Sequence, residues 1–317
     1  TNVYQQIFEA AYYYRFNPKA AFLAYYAHTE LPAHFVRNGW VTGDVLGMQF
    51  YDNGIQIFQN GTFDTSSNNV QLQQHLSISF LGQHKFIGGF DYLTGPRTSQ
   101  RLNNLLIYFP GNFVLADDSL DYLTPQWNYS FYLLDYWRPV QNLILELGII
   151  KDLNNCVTSG YRNNVYTSLW SPRLGLNYQF QINNTQHVLR GVVGRCLNTH
   201  FLSQIPVLLP GETAGFPWFV DSDSGTEIRQ AGGAWEAQWN SKTFTVLRLN
   251  ALRVSSPSFS FDVDNQLEIP NWQTWERYQT TLILNRILTG SLGLAAGVLG
   301  KRVITDISFR SEERRVG

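Results

Sequence analysis

Between Val70 and Phe80, apolar and polar residues alternate almost without a break. Val70, Leu72, Leu76, Ile78 and Phe80 fall on one side and Gln71, Gln73, His75, Ser77 and Ser79 on the other, with Gln74 interrupting the apolar side. A period of two is the signature of a strand with two unlike faces. The pattern returns further on, where Ala231, Gly233, Trp235, Ala237 and Trp239 oppose Gln230, Glu236 and Gln238. Ser130 to Lys151 reads as two strands joined by a tight turn. At about ten residues each, they match a tilted strand crossing the hydrocarbon core of a bilayer and exceed the usual strand of a soluble sheet.

Six hairpins of this kind can be read: Val3–Phe16 with Lys19–His28, Val70–Leu81 with Lys85–Leu93, Asn128–Arg138 with Leu143–Lys151, Pro172–Phe180 with His187–Cys196, Gln230–Trp239 with Thr243–Val254, and Trp275–Ile287 with Leu292–Gly300. Their turns are short and carry turn residues, such as Asn17-Pro18, Asn240-Ser241-Lys242 and Thr289-Gly290. Between hairpins lie long segments rich in Asn, Gly, Ser, Asp and Pro: Leu31–Asn69, Thr94–Trp127, Asp152–Ser171, Leu197–Arg229 and Ser255–Gln273. Loops this long argue against a compact soluble domain. Short turns on one side and long loops on the other are what a membrane β-barrel shows. A soluble β-sandwich is the competing arrangement, but its strands would be shorter and its loops more even. Aromatics gather beside the short turns, at Tyr12, Tyr14 and Phe16, Phe80 and Phe86, Tyr136 and Trp137, Tyr178 and Phe180, and Trp239 and Phe244. That clustering predicts an interfacial girdle.

Composition agrees. The chain has 317 residues, 44% hydrophobic and 15% aromatic, with no apolar run as long as a spanning helix needs. Mean hydropathy is −0.19, as expected where strands keep one wet face. Charged residues are only 15%, against about 25% in ordinary soluble domains. A net charge of −1 leaves no electrostatic footprint for nucleic acid. The fold class expected is therefore all-β: an antiparallel transmembrane barrel, a meander of about twelve long strands, incomplete as it stands.

The two cysteines, Cys156 and Cys196, cannot alone make a zinc site, and both fall where a strand gives way to a long loop. Two unpaired thiols and a disulfide in an oxidising compartment are both compatible with that placement. Residues 1–309 read as part of one outer-membrane barrel domain. Arg310 to Gly317 breaks the pattern with charge and reads as a non-native or disordered tail. An exported barrel also needs a leader, so the expectation is of a fragment whose true start lies upstream.

Tyr132-Leu133-Leu134-Asp135-Tyr136-Trp137-Arg138-Pro139, followed by Leu143-Ile144-Leu145-Glu146-Leu147-Gly148, resembles a recurrent hairpin of TonB-dependent receptor barrels, with Leu134 where Gln is common. Ser171-Pro172-Arg173-Leu174-Gly175-Leu176-Asn177-Tyr178 is similar to the family's next strand. Val188-Leu189-Arg190-Gly191-Val192-Val193-Gly194-Arg195 is similar to its partner, with Val193 where Tyr is usual. The resemblance covers roughly residues 70–300. It implies a 22-stranded barrel plugged by an N-terminal domain, of which this chain would hold about half the wall and none of the plug. It further implies uptake of a small ligand such as a metal chelate, cobalamin or a glycan. The implied partners are outer-membrane lipid and a TonB-type energy-coupling protein that acts through the absent plug. A plugless passive or export pore, attached in some cases to helical repeats, is the alternative function.

Candidate site residues follow from position. Phe216, Trp218 and Phe219, in the loop Gly215–Gly225, are the aromatics that a ligand at the barrel mouth could stack on; packing of the loop onto itself is the competing reading. Asp221, Asp223 and Gly225 have the alternate spacing of a calcium loop but lack its later ligands, so no metal and no cofactor is expected. Arg190, Arg248 and Arg277 lie within strands and, with Glu236, should face the lumen, since a charge at lipid mid-depth costs about 2–4 kcal/mol. His75 and Ser77 make up no complete catalytic unit: no orienting partner is in view and both fall on the polar side, so the chain is not expected to be an enzyme.

Overall fold

The computed structural model describes residues 2–3, 6–45, 48–95, 99–109, 112–116, 126–157, 164–199, 208–218, 224–262, 267–290 and 292–306. Its long strands are β1 (Gln6–Asn17), β2 (Ala20–Val45), β3 (Met48–Ser79), β4 (Gln83–Gly95), β5 (Gln126–Val140), β6 (Leu143–Val157), β7 (Asn164–Ile182), β8 (Thr185–Leu197), β9 (Glu227–Asn240), β10 (Thr243–Asp262), β11 (Leu267–Ile287) and β12 (Gly293–Asp306). Among the described residues there is no helix. The chain divides into two compact units, one of Thr1–Ala11, Tyr25–Val70 and Tyr92–Trp127, the other of Tyr12–Ala24, Gln71–Asp91 and Asn128–Gly317.

The larger unit is an antiparallel meander in which each strand from β4 through β12 pairs the next. Its registers run unbroken between β7 and β8 and between β8 and β9, as at Leu176↔Gly191 and Gly191↔Gly233, and between β9 and β10 they shift only near the turn, between Gln238 and Asn240. The short turns use the residues their geometry demands. Asn183 and Asn184 take φ of 45° and 65° in the two-residue turn between β7 and β8, the mirror-image turn that suits strand twist. Asn17 Oδ1 accepts a hydrogen bond from the Lys19 N–H at 2.8 Å, which closes the first turn.

Alternation sorts the unit into two faces. One is bare and greasy: Leu72, Leu76, Ile78, Phe131, Leu133, Leu147, Ile149, Leu174, Leu176, Leu189, Val193 and Leu249 are all exposed on it. Toward the short turns this face ends in aromatics. Tyr14 and Phe16 meet edge to face at 4.9 Å, and Tyr178, Phe180, His187 and Trp235 stack in a run with centroid spacings of 5.4, 5.1 and 5.9 Å. An apolar band edged by aromatics has the composition of a lipid-facing wall. Tyr136 departs from the expected girdle: it turns to the other face and packs against the cluster of Ile87, Tyr132, Leu134 and Ile150. That opposite face is polar, and it carries the connection between β8 and β9.

The smaller unit is also antiparallel. Asn2–Val3 pairs with Ala33 and His34, Gln56–Asp64 pairs with Ser99–Tyr108 through a bulge at Asn60 and Gly61, and Leu105–Phe109 pairs with Asn112–Ala116. Much of Leu31–Asn69 and Thr94–Trp127, expected to be loop, is therefore strand. Likewise β7 begins at Asn164 rather than Pro172, and β10 and β11 stay paired from Ser255↔Thr274 out to Asp262↔Leu267. Ladder hydrogen bonds run through these extensions, helped in β7, β10 and β11 by side-chain bonds such as Lys151 to Ser168 and Ser255 with Thr274, although their sequences have the composition of loops.

Candidate functional site

The described residues of the connection between β8 and β9 (198–199, 208–218 and 224–226) lie against the sheet. Its base is closed by ladder bonds: the Asn198 N–H donates to Thr226 O at 2.7 Å and the Gly225 N–H to Asn198 O at 2.7 Å. From Leu208 to Trp218 it then folds back along the polar face. A miniature hairpin forms there, Glu212–Thr213 against Phe216–Pro217, around Ala214 (φ 50°) and Gly215 (φ 79°). The Trp218 N–H donates to Gly211 O at 2.9 Å and its indole Nε1 to Thr213 Oγ1 at 2.8 Å, so the hairpin is tied within itself.

Strand side chains hold it from below. Gln71 Oε1 accepts from the Leu208 N–H at 2.7 Å, and Gln73 Nε2 donates to Leu208 O at 2.8 Å and to the Tyr132 hydroxyl at 3.1 Å. Arg173 donates to Pro210 O at 3.1 Å, and Glu146 Oε2 accepts from the Ala214 N–H at 3.0 Å. Buried polar groups need such partners, since an unsatisfied one costs about 1–3 kcal/mol.

Three glycines make the space. A Cβ at Gly175 would stand 2.5 Å from Thr213 Cγ2, one at Gly194 2.5 Å from Pro172 O of the neighbouring strand and 3.0 Å from the Trp218 ring, and one at Gly232 2.7 Å from the Phe216 ring. They lie on β7, β8 and β9, so the cradle is built across three strands. Phe216 and Trp218 fill it, at 0% and 2% exposure, within a cluster of Val192, Cys196, Ile228, Ala234, Leu252 and Val254. Two guanidinium groups cover the rings: Arg173 lies 4.8 Å from the Trp218 centroid and Arg248 5.2 Å from that of Phe216.

These contacts reassign the candidate residues. Phe216 and Trp218, for which stacking on a ligand and packing of the loop were the two readings, are buried anchors with a guanidinium group over each ring, and their inward packing removes apolar area from water. Phe219, Asp221 and Asp223 lie outside the described residues. Arg190 of β8 and Glu236 of β9 pair at 3.0 Å on the loop-bearing face. Arg248 stands on the same face over Phe216, and Arg277 sits in register with Leu252, one strand along. The side chains that grip the loop, namely Gln71, Gln73, Glu146 and Arg173, were not among the residues singled out. Their one signal in the sequence is polarity at alternate strand positions. Cys196 carries a free, buried thiol, and the side chain of Cys156 lies outside the described residues. His75 Nε2 meets Gln73 Oε1 at 2.5 Å, not Ser77. Among the described residues no three His, Cys, Asp or Glu side chains converge as a metal site would require.

The strand meander has counterparts among solved structures. The ferric preacinetobactin receptor BauA of Acinetobacter baumannii superposes with a TM-score of 0.59 at 12% identity, over 96% of this chain and 45% of that one. In fold, the chain is similar to this receptor. The pyoverdine outer membrane receptor FpvA of Pseudomonas aeruginosa PAO1 gives 0.62 at 13% identity, over 96% and 45%. The siderophore receptor PiuA of Acinetobacter baumannii gives 0.58 at 12%, over 95% and 47%. The chain thus spans less than half the length of the receptors it resembles, and at such identities the likeness is one of fold. These neighbours are receptors, not enzymes. No family model matches the sequence, and no curated protein matches it either.

Proposed function

We propose that the chain is part of the wall of an outer-membrane uptake receptor in a Gram-negative-type bacterium. In this reading residues 1–309 belong to one barrel domain, and the ligand is a metal chelate, a cobalamin or a glycan imported in TonB-dependent fashion. The observation that carries the reading is the superposition of nearly the whole chain on siderophore-receptor barrels. The inward-folded connection supports it, because it places Arg190, Glu236 and Arg248 beside a fixed surface on the polar face, where a small polar ligand would pass. The partners of this reading are outer-membrane lipid and a TonB-type coupling protein that engages a plug encoded upstream of the stretch described.

The test is growth of a receptor-deficient host that carries the full-length gene, supplied in turn with ferric chelates, cobalamin or oligosaccharides as the limiting nutrient. Growth on one ligand class that disappears when the coupling protein is deleted is the expected result. Growth that persists without the coupling protein would replace the active receptor by a passive pore.

A further inference from the structure

Around Asp152 the polar face of β4 to β7 holds a knot of buried oxygens that the fold leaves partly unused. A Cβ at Gly89 of β4 would run into the Tyr132 ring of β5, the strand that pairs with it. Side chains alternate, so two residues further along Asp91 falls across from Ser130. Ser130 Oγ donates to Asp152 Oδ1 of β6 at 2.6 Å, and Ser171 Oγ of β7 donates to Asp152 Oδ2 at 3.3 Å. Asn128 Nδ2 donates in turn to Ser130 Oγ at 2.9 Å, which holds that amide over the same spot. Asn154 follows Asp152 on the same face of β6. All six residues belong to the larger unit.

Unlike the side chains that grip the connection, these keep idle atoms. Asp91, Asn128, Asp152 and Asn154 are 4%, 0%, 3% and 0% exposed. Asp91 Oδ1, Asn128 Oδ1 and both ends of the Asn154 amide have no hydrogen-bond partner among the described residues. Buried carboxylates and amides are nearly always satisfied, so four idle atoms gathered in one place ask for a partner. The neighbouring cations do not supply it. Arg173 acts on Asp152 by its charge, but its guanidinium is engaged by Pro210 O and the Trp218 ring. Lys151 lies over Trp170 and donates to Ser168 Oγ. Asp91 is left beside the like charge of Asp152.

We propose that Asp91, Asn128, Ser130, Asp152, Asn154 and Ser171 bind a calcium ion. Zinc and its neighbours ask for three or four His, Cys or carboxylate ligands, which the described residues nowhere gather. Calcium accepts neutral oxygens in their place and takes six to eight in a flexible arrangement. Two carboxylates, two amide oxygens and two hydroxyls offer six, and the hydroxyls of Ser130 and Ser171 rotate to present lone pairs. A cavity of about 20 Å³ against Asp152, Asn198 and Thr199 has room for a water ligand. Magnesium, which sheds water reluctantly and holds to an octahedron, suits donors fixed on four strands less well. The ion would tie β4, β5, β6 and β7 together crosswise, beside the Arg173 that holds Pro210. The inference rests on the geometry of the polar face and not on ligand uptake.

The full-length protein in detergent is stripped with a chelator, and calcium, magnesium or sodium chloride is added back at matched ionic strength. Calorimetric titration of wild type should show a saturable calcium site with a Kd of about 0.1–1 mM. Calcium in excess should raise the unfolding midpoint by about 2–4 °C. D91N should abolish both effects, yet in chelator it should be at least as stable as wild type, because it removes a buried unpaired charge. A merely structural Asp91 would lose stability there. N154A should weaken binding about tenfold, whereas E276Q, which removes a carboxylate from the other face, should leave it unchanged. An equal calcium response in D91N would overturn the proposal and give the ion to co-purified lipid. Wild type without a saturable calcium site would overturn it with no variant needed, and equal protection by magnesium or sodium would overturn the choice of calcium. Failure of growth on every ligand class, with calcium binding intact, would strike the uptake reading alone.

Discussion

Gly232 lies directly beneath the ring of Phe216, and a Cβ added there would stand 2.7 Å from Cε1. The strand thus leaves out a side chain so that a residue of the connection can occupy its place. Substituting Ala should lift Phe216 from its seat, at about 1–3 kcal/mol for over-packing. Protease should then cut between 208 and 218 in G232A while the strands stay protected. An uncut connection would mean that the ring shifts without releasing the hairpin.

Truncating the anchors acts from the other side. F216A and W218A should each cost about 3–5 kcal/mol locally, and hydrogen exchange should accelerate at Leu208–Trp218 far more than in β8 or β9. W218F retains most of the apolar area and loses the indole bond to Thr213 Oγ1. It should cost only about 1 kcal/mol. Uniform acceleration along the strands would show that the anchors support the wall, not the connection.

Glu146 accepts the Ala214 N–H, and that acceptor can be varied in steps. E146Q keeps an oxygen in place and should weaken the loop slightly, whereas E146A leaves a buried donor unpaired, at about 1–3 kcal/mol. The order of the two variants in exchange protection at Ala214 checks the claim.

Arg190 and Glu236 form a half-buried pair at 3.0 Å. A double-mutant cycle with R190Q and E236Q, read by urea unfolding, should give a coupling of about 1 kcal/mol, between the values for exposed and buried pairs. Zero coupling would leave both charges free for a ligand.

Cys196 is buried beside Trp218, with its thiol 3.7 Å from Trp218 O. In a C156S background the folded protein should resist maleimide and react fully in denaturant. Rapid labelling of the folded protein would place the connection outside the cradle.

The strands were legible in the sequence because two unlike faces impose a period of two, as at Leu72, Leu76 and Ile78 against Gln71 and Gln73. The strand extensions were not. Between 31 and 69 the backbone is almost entirely strand on a sequence with the composition of a loop, so no local pattern announces the pairing. The site was hidden for a different reason. Gly175, Gly194 and Gly232 are ordinary strand glycines when read singly, and only the register of β7, β8 and β9 gathers them under Thr213, Trp218 and Phe216. Arg173 was visible as part of a family-like strand, yet its grip on Pro210 joins residues 37 apart and has no local signature.

The ladder bonds that join Asn198 to Gly225 and Thr226 seal the connection at its root. Because β8 and β9 are already in register below that point, whatever is spliced between them inherits a fixed pair of entry and exit positions. The connection is therefore a cartridge. A segment exchanged there should leave β8 and β9 paired only if it brings side chains that fit over Gly175, Gly194 and Gly232.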